Sequence, residues 1–437
     1  MADRKEGLET LAIHAAHRPD KETGARAVPL YQSASFVFND ADEAANRFAL
    51  RSFGPIYTRL GNPTTSVLEE RLAAYHGATG AIAAASGMAA IFNVVATLAS
   101  CGCNFVSASS LYGGTVTLFT HELKRFGIEA RFVDSSDPAN YEKMIDDKTR
   151  FLYAEAVGNP KGNVDDFEAI AAVAHRHGLP LVADCTYAPP PIFDPLRAGI
   201  DVVIHSLTKI IGGHGASIGG IVIENPDFDW KSSRKFPELT EPDDSYHGVN
   251  FWDAFGGHDQ AVARGQALTL KIRTGILRNV GAAISPFNSW NIMTGLETLP
   301  LRAKKHCENA MEVAAWLEKH PLVDWVEYAG LTSHPDYERA RKYMPMGPSA
   351  VFCFGIKGGF EAGKRFLNSV KLASLLVNLL DAKTLVTHPA STTHMQLTAD
   401  EMRAAGVTPE MIRLSVGIED VDDIKNDLDQ ALKAAME

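Results

Sequence analysis

The sequence predicts an α/β fold class, with a large, mostly parallel sheet domain followed by a smaller C-terminal α/β domain. Between about residues 80 and 222, short apolar runs alternate with helical stretches such as Met88–Leu98 and Phe167–His177. Strands and helices that take turns over this length build a parallel sheet covered on both faces. After a helical stretch from about Thr298 to Glu318, strand-like runs and helices alternate again. The length of 437 residues agrees with two domains, because a chain of this length is too long for one ordinary hydrophobic core.

The predicted elements follow an N-terminal arm. Residues 1–60 lack sustained periodicity, so we expect an extended arm that contacts a neighbouring subunit. A helix is expected to begin at Pro63, after Asn62, and to end before Gly77. We assign residues 61–297 to the first domain, with an irregular segment at 224–290, and residues 298–437 to the second. The expected strands are Ala81–Ala84, Phe105–Ser107, Ala130–Val133, Phe151–Ala154, Pro180–Ala183, Val202–Ile204 and Ile218–Val222 in the first domain, and Val323–Glu327, Ala350–Ile356 and Ile412–Val416 in the second.

Composition and charge exclude several classes of protein. Apolar residues make up 46% and charged residues 22%, the balance of a globular protein. The net charge of -11, without a run of like charges, argues against nucleic acid or anionic membrane as a partner. No segment reaches the ~18 apolar residues of a transmembrane helix, and the charged N-terminus lacks the apolar core of a signal peptide, so we expect a cytoplasmic protein. Five scattered cysteines suit a reducing compartment, and we predict no metal site.

Lys209 is the residue around which a site is predicted. It follows the apolar run Asp201–Ile204 and so would lie at the carboxyl end of a buried strand, where ligands of α/β sheets gather. A lysine in an apolar pocket loses proton affinity and becomes an amine nucleophile or base. Asp184 ends the preceding strand and would face the same ligand, although capping a helix is an ordinary role for a single aspartate. A Schiff-base lysine, with an aspartate that keeps a ring nitrogen protonated, is the minimum equipment for pyridoxal 5'-phosphate (PLP).

A phosphate site is predicted next to Lys209. Ser86, Gly87 and Met88 follow a strand and open a helix, whose N–H groups and dipole would hold a phosphate. Ser206 and Thr208 would add hydroxyl donors. The alternative for Ser86 is a plain helix N-cap, since serine is among the residues preferred there.

Three further residues lie at predicted strand ends. Tyr112 would stack on the cofactor ring, unless it is a core tyrosine. Asn159 would donate to the ring's phenolic oxygen, although Asn-Pro is also an ordinary turn. Arg413, in a strand of the second domain, offers a planar fork for a substrate carboxylate.

Motifs along nearly the whole chain resemble the Cys/Met-metabolism family of PLP-dependent enzymes, which have the aspartate-aminotransferase fold type. The motifs are Tyr57-Thr58-Arg59, Ala85-Ser86-Gly87-Met88, Leu111-Tyr112-Gly113-Gly114-Thr115, Gly158-Asn159-Pro160, Ser206-Leu207-Thr208-Lys209 with Gly212-Gly213-His214-Gly215, His388-Pro389-Ala390-Ser391-Thr392-Thr393-His394, and Ile412-Arg413-Leu414-Ser415-Val416-Gly417-Ile418-Glu419-Asp420.

The resemblance implies roles that the residues alone do not. Tyr57 and Arg59 would reach the phosphate of the neighbouring subunit's cofactor, and Tyr57 or Tyr112 would assist proton transfer. Thr186 would join the cofactor-binding residues, and Asn378 would help Arg413 with the substrate carboxylate. The resemblance also implies a homo-oligomer, a tetramer built as a dimer of dimers with shared active sites, that acts on small molecules.

Within the family the similarity is greatest to the O-acetylhomoserine sulfhydrylase branch. The implied reaction is γ-replacement: Lys209 removes the α and β protons, acetate leaves O-acetyl-L-homoserine, and sulfide or another thiol takes its place, giving homocysteine or methionine. Methionine γ-lyase, cystathionine γ-synthase and O-succinylhomoserine sulfhydrylase activities are the alternatives on this scaffold. Gly114, where methionine γ-lyases typically have cysteine, favours the sulfhydrylase. The proline-rich Cys185–Pro191 and Leu380, where glycine is usual, depart from the family pattern beside the pocket.

Three other classes of function were compared with this one. Gly358–Lys364 resembles a phosphate loop, but Arg365 stands where a magnesium-binding hydroxyl is required. Ser206-Leu207-Thr208-Lys209 fits the Ser-x-x-Lys of penicillin-recognising enzymes, yet it follows a strand and lacks the partner motifs of those enzymes. A non-catalytic protein of the same fold is disfavoured by the intact set of Lys209, Asp184 and Arg413.

Overall fold

The computed structural model describes residues 6–159, 161–392, 395 and 406–437. Pro160, Thr393 and His394, which belong to the motifs above, lie outside the described residues. The strands are β1 Gly80–Ala84, β2 Asn104–Ala108, β3 Glu129–Val133, β4 Thr149–Glu155, β5 Leu181–Asp184, β6 Val202–Ser206, β7 Gly220–Glu224, β8 Val323–Glu327, β9 Val351–Ile356, β10 Ser374–Leu375, β11 Leu385–Thr387 and β12 Met411–Ser415. The described α-helices are Leu8–His14, Ala41–Phe48, Pro63–His76, Gly87–Leu98, Gly113–Thr117, Leu123–Arg125, Ala139–Lys143, Phe167–Arg176, Pro237–Thr240, Phe251–Phe255, Ala267–Ile272, Arg278–Val280, Pro286–Leu296, Leu299–Glu318, Tyr337–Tyr343, Gly359–Ser369 and Val421–Ala434.

A seven-stranded sheet in the order β1-β7-β6-β5-β4-β2-β3 forms the larger layer. Every expected strand of this region is present, and the pairs from β6 to β3 are parallel. The prediction of a mostly parallel sheet is confirmed. Strand β7 is the exception, since it runs antiparallel to both β1 and β6. Apolar residues in a fully buried strand do not reveal its direction, so the sequence alone could not distinguish this arrangement.

The antiparallel pairing of β6 with β7 positions the predicted lysine. Ser206, the last residue of β6, pairs with Gly220, the first residue of β7. The intervening segment therefore returns at the carboxyl end of β6, and Lys209 lies within it. Strands β4 and β5 end at the same edge, with Glu155 paired to Asp184.

A five-stranded sheet in the order β10-β11-β12-β9-β8 forms the smaller layer. Three of its strands were expected, whereas the short strands β10 and β11 were not. The two are only 2 and 3 residues long, too short to show a period in the sequence. Helix Leu299–Glu318 connects the two sheets in sequence, as expected.

Local signals set the helix ends that were predicted. The Asn62 side chain accepts a hydrogen bond from Thr64 N–H and Pro63 occupies the first turn of its helix. Gly77 ends that helix with φ 76°, a left-handed conformation that favours glycine. Among the described residues, no helix has the length and apolar character needed to cross a membrane.

The expectation of an extended N-terminal arm is corrected in part. Helix Leu8–His14 packs on helices Pro63–His76 and Leu299–Glu318 of the same chain. The buried Arg71 side chain donates to the carbonyl oxygens of Ala12 and Ala15, at 3.4 and 3.0 Å. This helix is only 7 residues long and buries two of them, so its apolar period is weak in the sequence.

Candidate active site

Lys209 joins the two sheets. Its Nζ donates a hydrogen bond to Asn378 Oδ1 at 2.5 Å, and Asn378 lies in the loop between β10 and β11. Burial and, to a smaller extent, the positive charge of Arg413 lower the pKa of Lys209 to about 8, while the negative charge of Asp184 opposes the change. The sequence predicted a lysine with reduced proton affinity at this strand end, and the structure places one there.

The lowered pKa of Lys209 predicts how the apoprotein should react with an aldehyde cofactor. Only the unprotonated amine attacks an aldehyde, so the rate of PLP incorporation should rise with pH with a midpoint near pH 8. Replacing Arg413 with methionine removes a positive charge and should move that midpoint to higher pH. Stopped-flow absorbance of apoprotein mixed with PLP from pH 6 to pH 10 measures both. A midpoint near the ordinary lysine value in the wild type would contradict the buried position of this amine.

Asp184 is held rigidly at the end of β5. Its Oδ1 accepts hydrogen bonds from Thr186 N–H at 2.9 Å and from Thr186 Oγ1 at 2.5 Å. Burial raises the pKa of Asp184, while the hydrogen bonds from Thr186 and the charge of Lys209 oppose that rise. Thr186 Oγ1 also accepts from Ser206 N–H at 2.8 Å, so it links the ends of β5 and β6.

The turn Ser86-Gly87 lies directly against β6 and β7. Ser86 caps helix Gly87–Leu98, since its side chain accepts from Ala89 N–H at 3.1 Å. A Cβ on Gly87 would lie 2.8 Å from the Ser206 Cβ, and one on Gly220 would lie 2.0 Å from the Ser86 carbonyl oxygen. Both positions therefore require glycine, and the helix N-terminus comes next to Ser206.

Met88 lies in the first turn of helix Gly87–Leu98, and Thr208 lies in the segment that follows β6. Thr208 Oγ1 accepts from Gly219 N–H at 3.2 Å, which fixes its hydroxyl beside the strand ends. The N–H groups of Gly87 and Met88 are in the first turn, where helix geometry provides no intrahelical acceptor. Ser86 thus caps the helix, which was the alternative role, and the phosphate site expected at the same turn stays a prediction.

Tyr112 and Asn159 lie at the ends of neighbouring strands. Tyr112 follows β2 and has a side chain that is 48% exposed, so it is not a core tyrosine. Its backbone N–H donates to Glu155 Oε1 at 2.8 Å. Asn159 follows β4 and is buried.

Arg413 lies on β12 in a row of side chains across the smaller sheet. It pairs with Cys353 on β9 and with Thr387 on β11, so these side chains share a face. Ser415, two residues along β12, accepts from Leu380 N–H at 2.6 Å, so Arg413 lies beside the loop whose Asn378 contacts Lys209. The positive charge of Arg413 lowers the pKa of that lysine. Leu380, where the family pattern has glycine, adopts φ 56°, the left-handed region that favours glycine.

Tyr57 and Arg59 have their described contacts at the surface of their own chain. Arg59 Nη1 donates to the Arg278 carbonyl oxygen at 2.6 Å, and its guanidinium lies 5.5 Å from the centre of the Tyr57 ring. The Tyr57 side chain is exposed. Their predicted role at a neighbouring subunit stays a prediction.

Several residues near the site were not singled out from the sequence. Glu155 is buried beside Asp184, and burial followed by the Asp184 charge raises its pKa well above the usual range. Its position as the last residue of β4 was the available signal. His205 and His76 are buried with their Nε2 atoms 2.8 Å apart, and His205 Nδ1 lies 3.0 Å from the Cys185 carbonyl oxygen. His76 and His205 are 129 positions apart in the sequence, so no local pattern predicts their contact.

The residues present fit PLP. An amine of lowered pKa, a half-buried carboxyl group and a glycine-dependent helix N-terminus with hydroxyls beside it meet at one sheet edge. These are the groups that an aldehyde, a ring nitrogen and a phosphate require. Among the described residues, no cluster of three or more His, Cys, Asp or Glu side chains could hold a metal ion.

Comparisons with known proteins agree with this geometry. The family model described as Cys/Met metabolism PLP-dependent enzyme matches residues 9–433. O-acetyl-L-homoserine sulfhydrylase of Leptospira meyeri is 50% identical over 97% of this chain and 96% of its own. Homocysteine synthase of Schizosaccharomyces pombe is 47% identical over the full length of both chains. A crystal structure of a putative O-acetylhomoserine (thiol)-lyase from Campylobacter jejuni, which contains a pyridoxyl-lysine phosphate residue, superposes with a TM-score of 0.92 at 39% identity, covering 98% of this chain and 100% of that one.

Proposed function

Because this chain belongs to the Cys/Met metabolism PLP-dependent enzyme family, we propose that it catalyses γ-replacement on O-acetyl-L-homoserine. Sulfide or another thiol replaces acetate at the γ carbon, giving L-homocysteine or methionine. The observation that carries the chemistry is the half-buried Lys209 amine, which has a pKa of about 8 and contacts Asn378 between the two sheets. The name of a relative at 50% identity supports the choice of substrate, and the name of another at 47% identity supports the product.

The cofactor supplies an electron sink, which makes the carbons next to the substrate amino group acidic. Lys209 binds the aldehyde through its amine and, once released, removes and returns protons at the substrate α and β carbons. The hydrogen bond from Lys209 Nζ to Asn378 Oδ1 directs the amine toward the smaller sheet, which carries Arg413. The Asp184 carboxylate, fixed by Thr186, keeps the ring nitrogen protonated.

The remaining predicted residues bind and orient. The N–H groups of Gly87 and Met88 and the hydroxyls of Ser86, Ser206 and Thr208 bind the phosphate. Tyr112 stacks on the ring, Asn159 donates to its phenolic oxygen, and Arg413 with Asn378 binds the substrate carboxylate.

We also propose that the chain forms a homo-oligomer, a tetramer built as a dimer of dimers, in which Tyr57 and Arg59 complete the site of a neighbouring subunit. Apolar side chains that are exposed on this chain support an interface. Val37 is 94% exposed, and Phe53, Tyr57 and Ile218 are each more than 40% exposed. A cytoplasmic location is supported by five free cysteines, of which four are buried.

Steady-state assays of the PLP-loaded protein test the proposed function. With sulfide present, kcat/KM for homocysteine formation should be higher with O-acetyl-L-homoserine than with O-succinyl-L-homoserine or O-acetyl-L-serine. Release of 2-oxobutyrate from L-methionine should be slower than homocysteine formation at the same enzyme concentration. Preferential cleavage of L-methionine, or a higher kcat/KM for the succinyl ester, would contradict the assignment.

A further inference from the structure

Tyr187 is a buried tyrosine whose hydroxyl lacks a partner in the described part of the chain. It lies three residues after Asp184, in the proline-rich segment that departs from the family pattern. The residue is 8% exposed, and its Oη makes no hydrogen bond to any described residue. A buried hydroxyl that is left unpaired is unfavourable, and native structures usually satisfy such groups. The position therefore calls for an acceptor that the described residues do not supply.

The surroundings of Tyr187 identify what that acceptor should be. Thr186, next to Tyr187, accepts a hydrogen bond from Ser206 N–H at the end of β6. The loop whose Asn378 contacts Lys209 also donates from its backbone to Ser415 on β12, two residues after Arg413, so Tyr187 and Arg413 both border the lysine site. Burial raises the pKa of Tyr187, and the positive charge of Arg413 opposes that rise. Its pKa is also affected by Cys353, which pairs with Arg413 across β9 and β12. A guanidinium carries donors only, so it offers the Tyr187 proton no acceptor. A carboxylate bound by Arg413 would supply that acceptor, since each carboxylate oxygen can accept more than one hydrogen bond.

We propose that Tyr187 Oη donates a hydrogen bond to the substrate α-carboxylate that Arg413 binds, which makes Tyr187 a substrate-binding residue. This inference rests on the proposed function, because that function assigns the carboxylate to Arg413. Tyr187 then connects the segment after Asp184 to the arginine of the smaller sheet through the substrate. The same contact would favour amino-acid substrates with a free carboxylate over their amides.

The test uses the PLP-loaded protein and an unreactive ligand. L-norleucine has the α-carboxylate but no ester, and its amide L-norleucinamide lacks the charge, so the visible absorption of the cofactor reports binding of each without turnover. Tyr187→Phe should weaken L-norleucine binding by roughly tenfold or more, as expected for a lost hydrogen bond to a charged group. Binding of the amide should change by less than about threefold. For O-acetyl-L-homoserine, KM should rise while kcat changes little.

A matched variant separates substrate binding from a structural role. Tyr328 is also buried, but its Oη donates to the Ser349 carbonyl oxygen at 2.8 Å. Tyr328→Phe should therefore lower the melting temperature of the apoprotein and leave L-norleucine binding unchanged. Tyr187→Phe should leave that melting temperature unchanged or raise it, because the substitution removes an unpaired hydroxyl.

Three results would overturn the inference. One is equal L-norleucine binding by the wild type and Tyr187→Phe, and another is a lowered apoprotein melting temperature in Tyr187→Phe with binding intact. The third is a raised KM for the ester without weaker L-norleucine binding, which would place the hydroxyl on the ester carbonyl. A failure of the proposed function is distinguishable, since the wild type would then form no homocysteine from the ester whatever Tyr187 does.

Discussion

Lys209→Ala is expected to abolish turnover and the visible absorption band of the bound cofactor. The substitution removes the amine that binds the aldehyde and also the base that moves the substrate protons. Loss of both roles should lower kcat by more than about 10⁴-fold. Absorbance between 330 and 500 nm, together with homocysteine formation from O-acetyl-L-homoserine and sulfide, measures the two effects on one sample.

Lys235→Ala is the matched control for that substitution. Lys235 is also partly buried, and burial lowers its pKa, but its Nζ donates to the carbonyl oxygens of Asp146 and Thr149, before and at the start of β4. The Lys235 variant should keep the absorption band and its turnover. A coloured and active Lys209→Ala protein would remove the basis for assigning PLP chemistry to this lysine.

The larger sheet was predictable because its strands are short, apolar and separated by regular helices. All seven expected runs of the first domain, including the run that ends at Asp184, form strands. The direction of β7 was not predictable, since residues buried on both faces look alike in either orientation. That direction matters for the site, because it turns the chain back at Ser206 and holds Lys209 at the carboxyl edge.

The site was predictable where it follows strand ends and less so where distant segments meet. Asp184 ends a strand, and Ser86 and Lys209 follow the ends of two others, so one rule on ligand positions brought them together. Asn378 lies 169 positions from Lys209, and only the resemblance to the family placed it at the site. Its contact with the lysine amine was not foreseen, because it depends on how the two sheets pack.

Glu155 and Tyr187 show what local patterns do not reveal. Tyr187 stands within the recognised segment Cys185–Pro191 and Glu155 directly follows an expected strand, but the importance of both comes from burial and from neighbouring charges. Glu155 lies beside Asp184 on the adjacent strand, and the charge of Arg413, from the other sheet, opposes the rise in the pKa of Tyr187. An orphaned hydroxyl or a crowded carboxyl becomes visible only when the packing of all surrounding side chains is known.

Asp184→Asn is expected to lower kcat by about 10²–10³-fold, the effect of removing one preorganised charge interaction from a reacting system. The asparagine can keep the Oδ1 atom that accepts from Thr186 N–H and Oγ1, so the local geometry should persist. The variant loses the negative charge that holds a proton on the ring nitrogen. Steady-state kcat, with the pH dependence of the cofactor's absorption spectrum, measures the loss.

Stability should change in the opposite direction, which separates a catalytic loss from unfolding. Burial raises the pKa of Asp184 in the folded apoprotein, so this group makes folding less favourable as pH rises above the ordinary aspartate value of 3.8. Asp184→Asn removes that penalty, and the melting temperature of the apoprotein at pH 8 should match or exceed that of the wild type. Asp201→Asn is the control: burial also raises the pKa of Asp201, but this residue precedes β6 at the opposite edge and accepts from His175 Nε2 and Leu181 N–H. That variant should retain kcat, so equal activity losses in the two variants would refute a special role for Asp184.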